Sequence, residues 1–269
     1  MNPLKLEQIC RESRQVVEQA ADFIQEELGQ VAVKDIDVKS VNSLVSYVDK
    51  KSEEMLVAGL GKLLPKAVFI TEEETVEALQ GDYRWIIDPL DGTTNFLHQL
   101  PFFAISVALQ YKEQTIMGIV CEVNRKEMFY AWKDGGSWLN NKPIKVNTNT
   151  TLQDAMISTG FPYYDYSHLQ GYLKTLEYFM LNTRGIRRYG AAALDLAYVA
   201  CGRFDVYYEY SLSPWDVAAG ALIVEEAGGK VSDFKGGDNY IFGREIIAGS
   251  LAMFSEIFKT VNEAFYPES

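Results

Sequence analysis

Two aspartates stand three residues apart in a segment whose residue types suit the binding of a divalent cation. Asp88 and Asp91 follow the apolar residues 85–87 in the sequence WIIDPLDGTTNF. Pro89 restricts its own backbone φ angle and so stiffens the turn between the two carboxylates. Mg²⁺ prefers oxygen ligands, commonly one or two carboxylates together with water and a substrate phosphate. The turn therefore predicts two carboxylate ligands, with a backbone carbonyl group between them as a further donor.

Small and polar residues follow the second aspartate and suggest an anion site. Gly92, Thr93 and Thr94 offer backbone N–H groups at a point where a helix can begin, and such groups bind phosphate. A cation site beside an anion site predicts metal-dependent phosphate chemistry. An Asp before Gly is also a common turn former, and a Glu run commonly lies in a solvated loop. Further acidic residues stand near predicted element ends, in TEEET (71–75) and at Asp205, Glu209 and Asp216.

The elements that must position these residues are, in the first half, helices and antiparallel strands. Apolar residues at helical spacing predict a first helix that Gly29 ends, and Asp49 is a suitable N-cap for the second. Helices are predicted over 3–28 and 50–63 and strands over 67–70 and 84–88, with an acidic loop between the two strands. Residues 103–132 predict an antiparallel meander, which continues through a turn at Asn140 and Asn141.

A different pattern begins after about residue 150, where strands and helices alternate. Strands are predicted over 154–158, 185–189, 204–209 and 229–233, and helices over 167–181, 190–201 and 215–227. This alternation indicates an α/β half, whereas the first half is α+β. We expect residues 1–150 and 151–269 to form two subdomains that share a cleft within one compact catalytic unit.

Charge and composition limit the partners. The formal net charge is −12, so the surface should repel nucleic acid and anionic membranes, and neither is expected as a partner. An anionic substrate would need bound cations that reverse the local sign. The N-terminus carries charges too early for a signal peptide, and no apolar run approaches the length of a membrane span, which predicts a cytoplasmic protein. Three isolated cysteines and two histidines exclude a Cys/His zinc site.

Five stretches of the sequence resemble the inositol monophosphatase family in order and spacing. WIIDPLDGTTNF (85–96) and PWDVAAGALIVEEAGG (214–229) are similar to the two signatures of that family, and FITEE (69–73) resembles the element before the first signature. KSVNSLVSYVD (39–49) resembles its lysine loop, and RRYGAAALDLAYVACGRFDVYYE (187–209) resembles the stretch between the signatures. The resemblance implies a layered αβαβα sandwich of the sugar-phosphatase type, a homodimer and inhibition by Li⁺.

The resemblance also implies a set of metal ligands. Two Mg²⁺ ions, or three, would be bound by Glu72, Asp88, Asp91, Asp216 and the backbone carbonyl oxygen of Leu90. Glu73 stays open as an alternative to Glu72. A third, weaker metal position would lie near Lys39, where Asn42 and Ser43 depart from the family pattern.

The implied reaction is hydrolysis by a metal-activated water, without a phosphoenzyme. By resemblance, Thr93 and Glu72 would orient the water, Asp49 would support the Thr93 hydroxyl, and the amides of Gly92 and Thr93 would hold phosphate oxygens. Glu209 would bond the hydroxyls of a polyol, together with Asp91, Asp216 and the backbone near Ala192. Glu209 is alternatively an exposed acid at a strand end.

The function that these residues predict is a Mg²⁺-dependent phosphate-monoester hydrolase, with myo-inositol monophosphate as the expected substrate. Fructose-1,6-bisphosphate, NADP(H) and 3′-phosphoadenosine nucleotides are alternative substrates of the same family, and a basic cluster at Arg184, Arg187 and Arg188 keeps bisphosphates open. An alternative from another class is a regulatory binding partner whose metal site is silent. The acidic composition and the full ligand set both argue against it.

Overall fold

Two long helices form the outer layer on one side of the molecule. The computed structural model describes residues 3–32, 36–40, 43–77, 79–148, 151–162 and 165–267. Helix α1 (Pro3–Glu27) is followed by a short antiparallel pair, β1 (Ile36–Ser40) and β2 (Ser43–Ser46), and then by helix α2 (Tyr47–Leu63). α1 packs against α2 through residues at helical spacing, among them Val17, Ala20 and Ile24 on α1 and Leu56 and Leu60 on α2.

These helices cover one face of a seven-stranded sheet. The sheet order follows the chain, with β3 parallel to β4 and every other neighbour antiparallel. Alternate residues of a strand face opposite sides, so Trp85 and Ile87 pack toward α1 and α2 whereas Ile86 packs on the other face. The strands are β3 (Val68–Thr71), β4 (Tyr83–Asp91), β5 (Ala104–Tyr111), β6 (Gln114–Glu122), β7 (Glu127–Trp132), β8 (Ser137–Leu139) and β9 (Lys142–Ile144), and the five-residue helix α3 (Thr93–Leu97) follows β4.

A second sheet of five strands has the order β11-β10-β12-β14-β13. Its central strands β10 and β12 are parallel, and β14 lies antiparallel to both β12 and β13. The remaining elements are β10 (Met156–Thr159), α4 (Leu169–Asn182), β11 (Gly185–Arg187), α5 (Ala192–Ala200), β12 (Val206–Tyr210), α6 (Pro214–Glu226), β13 (Gly229–Ser232), β14 (Glu245–Ser250) and α7 (Leu251–Phe265).

Helices α5 and α6 form the layer between the two sheets. Their apolar residues share one buried cluster with Ile86 and Ala108 of the first sheet and with Tyr207 and Ile246 of the second. The outer face of the second sheet packs against α4 and α7 through Tyr208 and its neighbours. The molecule therefore has five layers, αβαβα, and the predicted fold class is confirmed.

The structure corrects several predicted element bounds. Helix α2 begins at Tyr47 with Ser46 as its N-cap, so the prediction that Asp49 is the N-cap is wrong. Val48 is buried in the core beside α1, and Ser46 with Asp49 forms a capping box that starts the helix earlier. Strand β4 runs on to Asp91 instead of ending at 88. Strand β14 and helix α7 were not predicted.

The sequence predicts no membrane-spanning segment, and the length and apolarity of the helices test this prediction. Across the part of the chain that the structure describes, every helix is too short or too polar to cross a membrane.

Candidate active site

Four carboxylates from three parts of the chain lie together in one cluster. Asp88 and Asp91 lie in the last part of β4, Glu72 follows β3, and Asp216 lies in the first turn of α6. Burial raises the pKa of Asp88 well above its usual value, and the charges of Glu72, Asp91 and Asp216 raise it further. These electrostatic effects show that the four carboxylates are neighbours.

Burial also raises the pKa values of the other two aspartates of this cluster. Burial raises the pKa of Asp91 to about 7, and the amide of Ala193 opposes this shift. Burial, followed by the charge of Asp91, raises the pKa of Asp216 to about 7. Buried carboxylates that repel one another are stable as anions only when a positive charge compensates them. The cluster therefore has the chemistry of a divalent-cation site.

The donor set fits Mg²⁺ better than a closed transition-metal cage. Within the described residues, no group of three or more His, Cys, Asp or Glu side chains is placed so that these side chains alone could hold a metal ion. Mg²⁺ usually retains several waters and takes only one or two carboxylates from each set of ligands. An open cluster of carboxylates, which the Leu90 carbonyl group and water complete, is consistent with that preference.

The turn between Asp88 and Asp91 is held from both sides. The backbone N–H of Leu90 donates to Asp88 Oδ1 at 3.0 Å, and Ser52 Oγ of α2 donates to the carbonyl oxygen of Pro89 at 3.1 Å. The next residue, Gly92, has a φ of 89°, and a Cβ there would lie 3.1 Å from the carbonyl oxygen of Phe102. Glycine is therefore required where β4 turns into α3.

Asp49 and Thr93 are in direct contact. Thr93 Oγ1 lies 2.8 Å from Asp49 Oδ1 and 3.0 Å from the carbonyl oxygen of Leu90. Asp49 Oδ2 accepts hydrogen bonds from the backbone N–H and the hydroxyl of Ser46, each at 2.8 Å. One oxygen of Asp49 therefore caps α2, and the other faces Thr93. Burial raises the pKa of Asp49, although its hydrogen bonds lower it.

Asp216 is used in the same way on another helix. Its Oδ2 accepts the backbone N–H of Ser213 at 2.7 Å and completes a capping box, with Pro214 in the first turn of α6. The helix start fixes the backbone and rotamer of Asp216, so that Oδ1 is the oxygen we expect to face a cation.

Glu209 lies in the cleft between the second sheet and the central helices. It is 8% exposed and shares a strand face with Tyr207, whose hydroxyl donates to Glu209 Oε2 at 2.7 Å. The alternative of an exposed strand-end acid is therefore wrong, because residue 209 alternates toward the central layer. Burial raises the pKa of Glu209 to about 8, and the Tyr207 bond and the charge of Arg188 oppose this shift.

Asp91 connects the end of β4 to the start of α5. Asp91 Oδ2 accepts the backbone N–H of Ala193 at 2.8 Å, and a bond from the Ala192 amide also lowers its pKa. Both amides belong to the first turn of α5, where a carboxylate is favoured by the helix dipole. Asp91 therefore lies against the start of α5 beside Ala192, and the charge of Glu209 is near enough to raise its pKa.

Two residues that hold the site in place, Glu53 and Asn95, were not predicted as site residues from the sequence. Glu53 is fully buried on α2 and accepts hydrogen bonds from the loop that carries Glu72. Asn95 Nδ2 donates to the carbonyl oxygens of Phe102 and Tyr189, which ties α3 to the segment before α5. An acid at position 53, in register with the apolar face of α2, was an available signal. No pattern in the sequence indicated the contacts of Asn95.

Not every predicted residue can be placed. Asn42 and the side chain of Lys39 lie outside the described residues, so the predicted third metal position stays a prediction. Glu72 lies beside Asp88, whose pKa it raises, whereas the backbone N–H of Glu73 is bonded to Glu53. This geometry favours Glu72 over Glu73 as the residue that faces the cluster.

Fold and cleft together define a layered α/β protein with an acidic site suited to divalent cations. Residues 5–265 match the inositol monophosphatase family. A protein named Nus factor SuhB from Pseudomonas aeruginosa is 40% identical over 253 residues, which cover 92% of this chain and 93% of that protein. An inositol-1-monophosphatase from Mesorhizobium japonicum is 37% identical over 250 residues, covering 93% of this chain and 94% of the relative.

The structural comparison agrees. The crystal structure of extragenic suppressor protein suhB from Bartonella henselae has a TM-score of 0.87 and 37% identity, and the match covers 93% of this chain and 96% of that chain. The chain therefore belongs to the inositol monophosphatase family.

Proposed function

We propose that this protein is a Mg²⁺-dependent phosphatase that hydrolyses a small polyol phosphate, with myo-inositol monophosphate as the first candidate. The observation that carries the proposal is the meeting of Asp88, Asp91 and Asp216 in one buried cluster with raised pKa values. The amides of the turn that begins at Gly92 lie next to it in the chain. The relative from Mesorhizobium japonicum, named inositol-1-monophosphatase, supports the same reaction.

The cation would be held by Glu72, Asp88, Asp91, Asp216 and the Leu90 carbonyl oxygen. Bound there, Mg²⁺ supplies positive charge that favours ionisation of a water and neutralises the phosphate. We take the number of ions as two or three.

Thr93 is proposed to orient the attacking water. Its hydroxyl has a single proton, which it donates in a hydrogen bond to Asp49 Oδ1 at 2.8 Å, so the lone pairs of Thr93 Oγ1 can accept a hydrogen bond from the water. Glu72, on the opposite loop, would accept a second hydrogen bond from that water. The chain thus supplies two acceptors, which together fix the direction of attack.

The phosphate would lie between the attacking water and the polyol, because the polyol oxygen leaves on the side of the phosphorus opposite the water. The amides of Gly92 and Thr93 would donate to phosphate oxygens at the start of α3. Glu209, aimed by Tyr207, would accept hydrogen bonds from ring hydroxyls, with Asp91 and the backbone at Ala192 beside it. Asp216 would then lie near the ester oxygen.

The decisive test replaces one carboxylate and uses a matched surface control. Asp88→Asn should reduce turnover of myo-inositol-1-phosphate by at least about 100-fold, because it removes a charged ligand from the cluster. Asp82→Asn, the same change at an exposed position that precedes β4, should leave turnover unchanged. Activity in the presence of EDTA, or near-normal activity of Asp88→Asn, would contradict the proposal.

The substrate is settled by a panel measured with Mg²⁺ and with added Li⁺. We expect myo-inositol-1-phosphate to be turned over faster than fructose-1,6-bisphosphate, NADP⁺ or a 3′-phosphoadenosine nucleotide, and Li⁺ to inhibit. Burial of an acceptor such as Glu209 favours a substrate rich in hydroxyl groups. Preference for a bisphosphate would instead direct attention to Arg188, whose charge acts on Glu209.

A second candidate is a regulatory binding role with a silent metal site. The name of the relative from Pseudomonas aeruginosa, Nus factor SuhB, favours it. Partner capture from a lysate that is equal for wild type and Asp88→Asn, with no turnover of any phosphate ester by wild type, would support this role. Turnover that depends on Asp88 supports the phosphatase.

A further inference from the structure

A glutamate outside the cation cluster, Glu53, accepts hydrogen bonds from backbone amides of the loop that carries Glu72. Glu53 of α2 has no exposed surface. Its Oε2 accepts the backbone N–H of Glu73 at 2.8 Å, and its Oε1 accepts the backbone N–H and the hydroxyl of Thr75 at 2.8 and 2.7 Å. Between these two amides, Glu74 has a φ of 53°. Amides that flank a left-handed residue form a concavity for an anion, and here the anion is the protein's own carboxylate.

The location of this carboxylate is unusual for its charge. It lies against a loop that contains three consecutive glutamates, residues 72–74, which should repel it. A buried carboxylate among other acids persists only when several donors satisfy it, and the three donors from the loop do so. A left-handed conformation at a glutamate is also disfavoured unless the surroundings hold it. Glu53 therefore determines the path of this loop.

The loop path decides where Glu72 lies. Glu72 directly precedes the first amide that Glu53 binds, and its own backbone N–H donates to the carbonyl oxygen of Ile87 at 3.3 Å. The backbone is thus fixed on both sides of Glu72, by β4 before it and by α2 after it. The charge of Glu72 acts on Asp88, so this fixation brings the two carboxylates together.

We propose that Glu53 is a positioning residue whose carboxylate holds the Glu72–Thr75 loop so that Glu72 faces Asp88, and that it thereby sets the affinity of the cluster for a divalent cation. Asp49, Ser52 and Glu53 share one face of α2 at helical spacing. They bind Thr93, the Pro89 carbonyl oxygen and the Glu72 loop respectively. A single helix face therefore supports three parts of the site. This inference rests on the proposed function only in that the cluster binds a cation.

The test measures cation binding without turnover. The full-length protein, freed of metal, is titrated with Mn²⁺, which shares the oxygen ligands of Mg²⁺, and free Mn²⁺ is read from the electron paramagnetic resonance signal of its hydrated ion. Glu53→Gln replaces one carboxylate oxygen with an NH₂ group. This group faces a backbone N–H of the loop and cannot accept its hydrogen bond. We expect its dissociation constant for Mn²⁺ to rise by about 10- to 100-fold.

The chain offers a matched control at the next position. Glu54→Gln makes the same change of charge on the same helix, at an exposed residue that pairs with Lys51, and should bind Mn²⁺ as wild type does. Thr75→Val removes one hydroxyl donor and keeps the backbone bonds, so its affinity should fall by about 2- to 10-fold. Circular dichroism confirms the fold of each variant, and Thr75→Val decides the test if Glu53→Gln does not fold.

The outcomes separate this inference from the proposed function. Wild-type Mn²⁺ affinity in folded Glu53→Gln, or in Thr75→Val where that variant decides, overturns the role of Glu53 while the phosphatase proposal stands. A purely structural role would lower the melting temperature and leave that affinity unchanged. A wild-type protein that binds Mn²⁺ but hydrolyses no phosphate ester overturns the phosphatase and leaves Glu53 in place. No Mn²⁺ binding by wild type overturns both.

Discussion

At the scale of single residues, two aspartates of the site use one carboxylate oxygen to cap a helix and leave the other oxygen to face the site. Asp49 and Asp216 each occupy the N3 position of a capping box, where Oδ2 satisfies the helix start. The second oxygen of each is directed by that bond. A helix cap restricts the side-chain rotamer, so the same bond also orients the second carboxylate oxygen. An exposed aspartate without a cap would need other contacts to be oriented in this way.

Gly160 tests how closely Glu209 is held. A Cβ at position 160 would lie 2.0 Å from Glu209 Oε2, and the Tyr207 bond prevents the carboxylate from retreating freely. Gly160→Ala should therefore displace Glu209 and raise KM for a polyol phosphate by roughly 10-fold, the cost of about one bond to a charged group. Turnover of p-nitrophenyl phosphate, which has no ring hydroxyls, should change little. Equal losses on both substrates would contradict a role in polyol binding.

The cysteines give a prediction about pH. Cys10 and Cys121 are buried, and burial raises the pKa of each thiol to about 12. At pH 8 only about 1 in 10⁴ of each is thiolate, against roughly one in four for a free thiol, so native labelling should be about 10³-fold slower than normal. The rate should rise about tenfold per pH unit toward the raised pKa. The half-buried Cys201 should react first with Ellman's reagent, and rapid release of three equivalents without denaturant would contradict this.

At the scale of elements, α2 shows how the close packing of one helix supports a site. The side of α2 that faces α1 carries Gly59, where a Cβ would lie 2.4 Å from Val16 Cγ1, and the side that faces the site carries Asp49, Ser52 and Glu53. The close approach of α1 holds α2 against β4, where Ser52 meets the aspartate turn. Packing between helices therefore contributes to the geometry of the cation cluster.

Two glycines of α2 provide a matched pair. Gly59→Ala would place a methyl group into Val16 and should lower the free energy of unfolding by about 1–3 kcal/mol. At Gly61 a Cβ would lie 3.7 Å from the Phe69 ring, an ordinary contact, so Gly61→Ala should raise the free energy of unfolding by about 0.5–1 kcal/mol through helix propensity. Urea unfolding measures both. Changes of the same sign would contradict the close contact between α1 and α2 at Gly59.

The elements also show what a sequence can predict. Helix α1, predicted over 3–28, is observed as Pro3–Glu27 because its apolar period is long and regular. Asp88 and Asp91 were predicted as ligands because they share one rigid turn, whereas Glu72 and Asp216 were predicted as ligands from the family resemblance. Strand β14 was missed, since it is placed between β12 and β13 by pairing that no local pattern reveals. The acid at position 53 was visible on the apolar face of α2, but its partners were not, because its hydrogen bonds join residues 20 and 22 positions apart.

At the scale of the whole molecule, the candidate cation site connects elements that lie far apart in the chain. Asp88 and Asp91 belong to the seven-stranded sheet, whereas Asp216 belongs to the central helix layer that also packs on the second sheet. Without a cation, these buried charges oppose the packing of the layers, since each raises the pKa of its neighbours. The division into subdomains at about residue 150 stays a prediction. A ligand that bridges the layers should nevertheless stabilise the fold as a unit.

Metal removal therefore gives the last prediction. A ligand at 100 times its dissociation constant stabilises a fold by about 2.7 kcal/mol, and each kcal/mol shifts the melting temperature of a protein near this size by about 2–4 °C. Mg²⁺ should accordingly raise the melting temperature of EDTA-treated protein by roughly 5–10 °C, with KCl at equal ionic strength as the control. Asp88→Asn should melt no lower than wild type in EDTA, because it relieves repulsion, and should lose the Mg²⁺ shift. Asp82→Asn should keep the shift, and a shift that survives in Asp88→Asn would mean that the cation binds elsewhere.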